Sequence, residues 1–263
     1  MAVAARDPAL DAYEALAPFY DRYTELYEHG AWLANLESVA LELGLRGRHL
    51  LDIGCGTGKS FLPLLARGYE VVACDVSPEM VARARERAAP WGAEVTVADA
   101  RELPDLGSFD LATSLDDCLN YLLTDEDLAA AFDGVARNLR PGGFFVFDLN
   151  SLATYRGAFA TDAVSETDGA VFCWRGAANP EAGPRAFATA TIEVFSSDDG
   201  ECWRRTSSRH VQRHHPFSLV VELLEAAGLE LLEVRGQHTG ASLELPADEE
   251  RHAKVVYFAH KSQ

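Results

Sequence analysis

Lysine is nearly missing from this chain. Lys59, Lys254 and Lys261 are the only three in 263 residues, and 23 basic side chains face 41 acidic ones for a net charge of −18. A field of that sign repels phosphate backbones and anionic lipid, which makes nucleic acid and membrane surfaces poor partners. It tolerates a cationic ligand such as a sulfonium or an amine. Also missing is any unbroken apolar run long enough to cross a bilayer. Cys55, Cys74, Cys118, Cys173 and Cys202 are odd in number and contain no Cys-x-x-Cys pair, which argues against a disulfide framework and a zinc knuckle. The segment Met1-Ala-Val-Ala-Ala-Arg-Asp-Pro lacks the basic start and apolar stretch of a secretory signal, so the expected location is cytoplasmic. What is present, 48% hydrophobic and 24% charged residues, suffices for one large α/β domain or for a core with a sizeable insertion.

Three sections differ in character. Residues 1–48 read as a helical cap, because Tyr13, Leu16, Tyr20, Tyr23 and Tyr27 recur at three- and four-residue spacing, with Pro18 as a kink or break. From residue 49 to 150 strand and helix alternate, the pattern of a parallel sheet covered on both faces. Strands are expected at His49–Ile53, Glu70–Cys74, Glu94–Ala98, Phe109–Thr113 and Phe144–Leu149. Ser77-Pro78 and Thr124 with Asp127 mark helix starts, and Pro141-Gly142-Gly143 is expected to break the chain before the fifth strand. Residues 151–215 change register. Short runs at Ala170–Trp174, Thr189–Phe195 and Glu201–Arg205, with turns at Asn179-Pro180, Gly183-Pro184 and Asp199-Gly200, read as an antiparallel insertion that covers a substrate. Residues 216–263 then return to the core through a helix at Pro216–Ala227 and strands at Leu229–Val234 and Val255–Ala259.

The most informative stretch is Leu50-Leu51-Asp52-Ile53-Gly54-Cys55-Gly56-Thr57-Gly58-Lys59-Ser60, a buried strand that runs through glycines into a helix. Backbone without side chains lets a ligand approach closely, and a helix N-terminus offers free N–H groups. A triphosphate-binding loop requires glycine five residues before Gly58, where Ile53 stands. A dinucleotide fingerprint requires a third glycine at Lys59. What remains, Asp-x-Gly-x-Gly-x-Gly, resembles the class I S-adenosylmethionine-dependent methyltransferases. Matching pieces follow in order: Asp75 at the end of the second strand, Asp99-Ala100 after the third, Ser108–Ser114 as the fourth, Leu139-Arg140-Pro141-Gly142-Gly143 before the fifth, and Leu223–Leu229 before the sixth.

That resemblance implies a Rossmann-like α/β fold with a seven-stranded, mostly parallel sheet, a helical N-terminal cap and an antiparallel β insertion after the fifth strand. It implies S-adenosyl-L-methionine as cofactor, with Asp52, Gly54, Gly56 and Gly58 around the methionine moiety and Asp75 on the ribose. Val76 and Met80 follow Asp75, Asp99 and Ala100 take the adenine, Leu115 lies beyond the fourth strand, and Tyr20 closes over the site. The segment Ser114-Leu115-Asp116-Asp117-Cys118-Leu119-Asn120-Tyr121 lies where family members contact the methyl acceptor. Asp116 and Asp117 are acceptor contacts or plain turn residues; Asn120 and Tyr121 contact the acceptor or pack on the cap. Tyr13 and Tyr23 share a helical face with Tyr20 and fill a core or converge on the reacting methyl. Asn150 ends the fifth strand, and Trp174 lines a substrate cavity or packs the small sheet. His210 and His214 read as a surface strand; the rival readings make His210 an acid/base residue at the substrate mouth, or both metal ligands that lack a third. Tyr13, Tyr20, Asn120 and His210 are thus the catalytic candidates.

The layout resembles methyltransferases of aminosugars and antibiotic intermediates, which implies N-methylation of a small molecule, with O-methylation as the alternative. The Asn/Asp-Pro-Pro-Tyr/Phe motif of enzymes that methylate DNA or glutamine is missing. A nicotinamide oxidoreductase and a cofactor-binding scaffold without activity are the remaining rivals. The insertion's free strand edges leave room for a homo-oligomer.

Overall fold

The computed structural model describes residues 7–27, 29–238 and 240–262. Among the described residues the α-helices are α1 (Pro8–Leu16), α2 (Tyr20–Tyr23), α3 (His29–Leu43), α4 (Leu62–Leu65), α5 (Pro78–Ala88), α6 (Asp125–Asn138), α7 (Leu152–Arg156) and α8 (Phe217–Ala226). The strands are β1 (His49–Ile53), β2 (Glu70–Asp75), β3 (Glu94–Val97), β4 (Phe109–Ser114), β5 (Leu139–Asn150), β6 (Asp162–Thr167), β7 (Ala170–Gly176), β8 (Phe187–Ser196), β9 (Arg204–Arg213), β10 (Leu229–Gln237), β11 (Leu243–Glu244) and β12 (Lys254–Lys261). They form one sheet in the order β11-β10-β12-β5-β4-β1-β2-β3 and a second, antiparallel sheet β6-β7-β8-β9.

Strands β1 to β5 pair in parallel, while β12 and β10 are antiparallel additions. The alternation of side chains on β5 shows how the large sheet is buried twice. Phe144 and Val146 join α3, α4 and α5 on one face, whereas Phe145, Phe147 and Leu149 join α6 and α8 on the other. On the second face the Phe145, Phe147 and Tyr257 rings stack at 4.6 and 4.8 Å. Met80, Val81, Ala84 and Ala88 form the buried stripe of α5, whose first turn is capped by Ser77 Oγ accepting from the Met80 amide at 3.1 Å. Strand order reverses at β1, which β2 flanks on one side and β4 on the other. That switch opens a crevice beyond the strands' carboxyl ends, the usual ligand position in an open α/β sheet.

The cap lies on the small sheet. Leu16, Phe19, Tyr20 and Tyr23 pack against Ala170, Phe172, Ile192 and Val194, and the helical path breaks between Leu16 and Tyr20, around Pro18. Among the described residues no helix is long and apolar enough to cross a membrane.

Several expectations need correction. The large sheet has eight strands rather than seven, because the two-residue β11 pairs with β10; a strand so short has no periodicity to read. Pro141-Gly142-Gly143 does not break the chain before β5. It lies inside that strand, where the pairing moves from Phe109–Leu139 to Leu111–Phe144, and Gly142 at φ +73° accommodates the bulge. Strand β6 was not anticipated because it is an exposed edge without apolar alternation. Of the run expected at Glu201–Arg205 only Arg204 and Arg205 are strand; they open β9, which extends to Arg213. His210, His214 and His215 are buried rather than on the surface.

The cap of α6 gives a direct test of this reading: Thr124 Oγ1 accepts from the Asp127 amide at 3.0 Å. Thr124→Ala should lower unfolding free energy by about 1 kcal/mol in urea denaturation, and Thr124→Ser should restore most of it.

Candidate active site

The glycine loop adopts a conformation that other residues resist. Gly54, Gly56 and Gly58 have φ of +72°, +52° and +94°, and a Cβ on Gly54 would lie 2.2 Å from Cys118 Sγ. Amides of Gly54 and Cys55 donate to the Cys74 carbonyl at 2.8 and 2.9 Å, and the Gly56 amide donates to Asp75 Oδ2 at 2.8 Å. Helix α2 clamps the loop from above. Thr57 Oγ1 donates to Asp21 at 2.6 Å, and Lys59 Nζ reaches Thr24 Oγ1 at 2.7 Å and the carbonyls of Asp21 and Thr24 at 3.1 and 3.0 Å.

A cleft opens beside this loop, lined by Tyr20, Gly54, Gly56, Asp75, Val76, Asp99, Ala100 and Leu115. Three other expected cofactor residues lie outside it. Asp52 is buried beneath the loop and accepts from Ser60 and from Thr113 Oγ1, the latter at 2.6 Å. Burial raises its carboxyl to about 6 despite those hydroxyls. Gly58 faces the Phe61 ring, and Met80 is fully buried in the stripe of α5. Asp99 is not a free acceptor. Burial acts to raise its carboxyl, but the Arg101 guanidinium, with Nε at 2.9 and 3.0 Å, holds it below the ordinary value. Arg101 also pairs with Asp7, which joins the start of α1 to this end of the cleft.

A second hollow of about 850 Å³ lies between the cap, the small sheet and the strand ends. Its wall includes Tyr13, Tyr20, Tyr23, Asp116, Asp117, Tyr121, Asn150, Trp174 and His210. Tyr13, Tyr20, His29, Asp116 and Tyr121 line both hollows, so they mark the junction. There Tyr121 Oη lies 2.9 Å from His210 Nδ1, and His210 Nε2 lies 3.1 Å from Ser208 Oγ. Ser208 in turn donates to the Ile192 carbonyl at 3.4 Å, which leaves its lone pairs for a His210 Nε2–H and makes Nδ1 the acceptor of the Tyr121 proton. Burial lowers His210 to about 4 and raises the phenols of Tyr13, Tyr20 and Tyr121, so the group is neutral at pH 7.

Asn120, expected as a catalytic residue, lines neither hollow. Its side chain donates to Tyr155 Oη and the Arg213 carbonyl at 3.3 and 3.0 Å and accepts from the Asn150 amide at 2.9 Å, which uses it as a brace. Trp174 also has a packing role: its Nε1 donates to the Ala158 carbonyl at 2.8 Å and its ring meets Phe159 edge-on. The paired-ligand reading of His210 and His214 is not supported. Among the described residues the one group of three or more converging metal-type donors is His238, Glu244 and His252.

Sequence reasoning missed the charged centre of the junction. Asp116 and Asp117 both have left-handed backbone, φ +58° and +53°, and their amides donate to the buried Asp148 at 2.7 and 2.9 Å. Lys254 Nζ lies 3.1 Å from Asp116, 3.1 Å from Asp117 and 2.9 Å from Asp148. His29 Nε2 meets Asp116 at 2.8 Å, and Gln212 links Asp117 to Asn150. Burial alone would raise Asp116, yet Lys254 and His29 hold it well below the carboxylate range. Asp148 is pushed up to about 6 by burial, and three carboxylates keep Lys254 charged against the same burial. The available signal was Asp148, an acid near the end of the apolar run Phe144–Leu149 and two residues before Asn150, which the lysine that opens β12 faces.

Comparisons with known proteins agree with the fold. Residues 50–143 match the methyltransferase domain family. The Bacillus subtilis protein YqeM, which carries a provisional methyltransferase name, is 28% identical over 230 residues, 86% of this chain and 90% of the relative. An S-adenosylmethionine-dependent methyltransferase from Clostridium acetobutylicum superposes with a TM-score of 0.80 at 23% identity, covering 95% of this chain and 99% of the other. The sugar N-methyltransferase KedS8 from Streptoalloteichus gives 0.72 at 22% identity, covering 93% of each chain.

Two measurements test the electrostatics. Lys254→Met leaves the buried Asp148 and the half-buried Asp116 and Asp117 without their shared cation, so it should cost about 3 kcal/mol of stability at pH 7 and recover part of that at pH 5; an unchanged urea midpoint would contradict the arrangement. Asp52 binds its proton more tightly folded than unfolded, so its contribution is present below the unfolded carboxylate value and lost as pH rises through about 6. Asp52→Asn should therefore flatten the stability–pH curve between about pH 4 and 6, by at most about 3 kcal/mol.

Proposed function

We propose that this S-adenosylmethionine-dependent methyltransferase methylates the amine nitrogen of a small molecule, an aminosugar or another natural-product intermediate. The observation that carries this reading is the junction, where a cleft beside the glycine loop meets a larger aromatic hollow at neutral, hydrogen-bonded phenols and an acidic cluster. The sugar N-methyltransferase neighbour supports it through shared architecture.

The cofactor fits what the cleft offers. Gly56 has only the Tyr20 ring near its missing Cβ, at 3.7 Å, so the backbone is open to close approach by the methionine moiety. Asp75 holds two backbone amides and keeps lone pairs for ribose hydroxyls. Ala100 and the Asp99–Arg101 pair would flank the adenine. When bound, S-adenosylmethionine supplies an electrophilic methyl on a sulfonium.

The chain's own contribution is positioning and exclusion of water. Helices α1 and α2 roof the junction, fastened by Glu14 to Ser77 at 2.6 Å and by Asp21 to Thr57. Tyr121 donates its O–H to His210 Nδ1 while its oxygen accepts from Tyr13 and Gln212, which fixes the phenol as a wall against which an amine nitrogen would be aligned. An amine needs only this orientation once neutral. An alcohol needs a group that takes its proton during attack, and a histidine held near 4 is a poor base for that. The junction therefore favours N- over O-methylation.

Mass spectrometry on matched acceptors that differ only in amine against hydroxyl tests the proposal. The amine should gain one methyl on nitrogen and the hydroxyl analogue none; methylation of the alcohol with the amine untouched would reverse the assignment. Tyr121→Phe should lower kcat/KM roughly tenfold to hundredfold through lost orientation, while affinity for S-adenosylhomocysteine stays near wild type.

A further inference from the structure

The aromatic hollow is poorly equipped to receive a phosphate. Among its described lining residues Lys254 is the one lysine or arginine, and its ammonium is held within 3.1 Å of three carboxylates. Asp116 and Asp117 both line the hollow, so its charged wall carries an excess of negative charge in a chain already at −18. A nucleoside diphosphate brings further negative charge and would meet no free cation there. An ammonium meets carboxylates that retain lone pairs beyond those used by Lys254, His29 and Gln212.

A second, independent feature concerns the same wall. Trp32 lines the hollow at 5% exposure, and its buried Nε1 donor has no hydrogen-bond partner among the described residues. Gln237 also lines it, and its buried Oε1 acceptor is likewise unpartnered. A buried donor or acceptor left unpaired is destabilising, so a ligand that completes it is favoured. A hydroxyl both donates and accepts, so one kind of ligand group completes both atoms.

We propose that the methyl acceptor is a hydroxylated amine that carries no phosphate, with its ammonium recognised by Asp116 and Asp117 and its hydroxyls by Trp32 and Gln237. The inference rests on the N-methylation reading and narrows it: the amino group sits on a free or glycosidically linked sugar-like ring rather than on a nucleotide-linked one. Aromatic walls from Tyr23, Phe172 and Trp174 suit the apolar faces of such a ring.

The test uses the full chain with S-adenosylhomocysteine bound and three acceptors built on one skeleton. These are the methyl glycoside of an amino sugar, the nucleoside-diphosphate-linked form of that sugar, and the methyl glycoside with hydroxyl in place of the amine. Calorimetry should give at least about tenfold tighter binding of the amino glycoside than of the nucleotide-linked form, with the gap narrowing as salt screens the repulsion. Asp117→Asn should weaken the amino glycoside by about tenfold, and Trp32→Phe, which keeps the ring and removes only the donor, by about threefold. Equal or tighter binding of the nucleotide-linked sugar would overturn this inference while leaving N-methylation intact. Failure of both amines to bind, or wild-type affinity in both variants, would overturn the recognition scheme. Methylation of the hydroxyl glycoside with S-adenosylmethionine present would instead overturn the N-methylation reading beneath it.

Discussion

One half-buried ammonium ties the sheet to the site. Lys254 opens β12, Asp148 lies on the neighbouring β5, and Asp116 and Asp117 form the turn that leaves β4. Three chain segments distant in sequence are thereby held at one point, beside the hollow where acceptor chemistry would occur. Two consecutive left-handed, non-glycine residues are unfavourable by themselves. They persist because Asp148 accepts both of their amides, and Asp148 stays buried because Lys254 neutralises part of its charge. Strain, burial and ion pairing here form one arrangement, since removing any member leaves the others uncompensated.

The scarcity of lysine makes this use of it informative. Each of the three fastens a different joint: Lys59 holds the glycine loop to α2, Lys254 holds the acidic turn, and Lys261 donates to the carbonyls of Ala136 and Leu139 where α6 passes into β5. An ammonium near a helix C-terminus satisfies carbonyls that the helix leaves open. All three are thus structural cations, which leaves the remaining surface of the chain strongly acidic.

Much of the large sheet was legible because its signals are local. Strand β1 begins and ends where the apolar run His49–Ile53 does, and Ser77 and Thr124 cap helices through bonds between near neighbours. The glycine loop, too, is legible, because φ near +50° to +95° restricts which residues can stand there. What was not legible depends on partners far apart in sequence. The burial of His210 comes from packing of the small sheet on the cap, with Tyr121 eighty-nine positions away. Asn120 looked like an acceptor contact from its place after β4, yet its bonds to Arg213, Tyr155 and Asn150 turn it inward. For Asp99, expected on the adenine, a sequence does not show that Arg101, two residues on, folds back to pair with it.

The junction's electrostatics follow from the same burial. Phenols at Tyr13, Tyr20 and Tyr121 are pushed up and His210 is pushed down, so no group of that chain changes charge near pH 7. A neutral chain of donors and acceptors can orient a nucleophile but is ill suited to remove a strongly held proton in the transition state. The acidic cluster on the other side has the opposite property: it is charged, fixed by Lys254, and therefore able to attract a cation without reorganising. Orientation by neutral groups and attraction by fixed carboxylates suit a nucleophile that arrives as a cation, gives up its proton to water and reacts as a neutral base. Among small nucleophiles an amine has that pair of states within reach of physiological pH, and an alcohol does not.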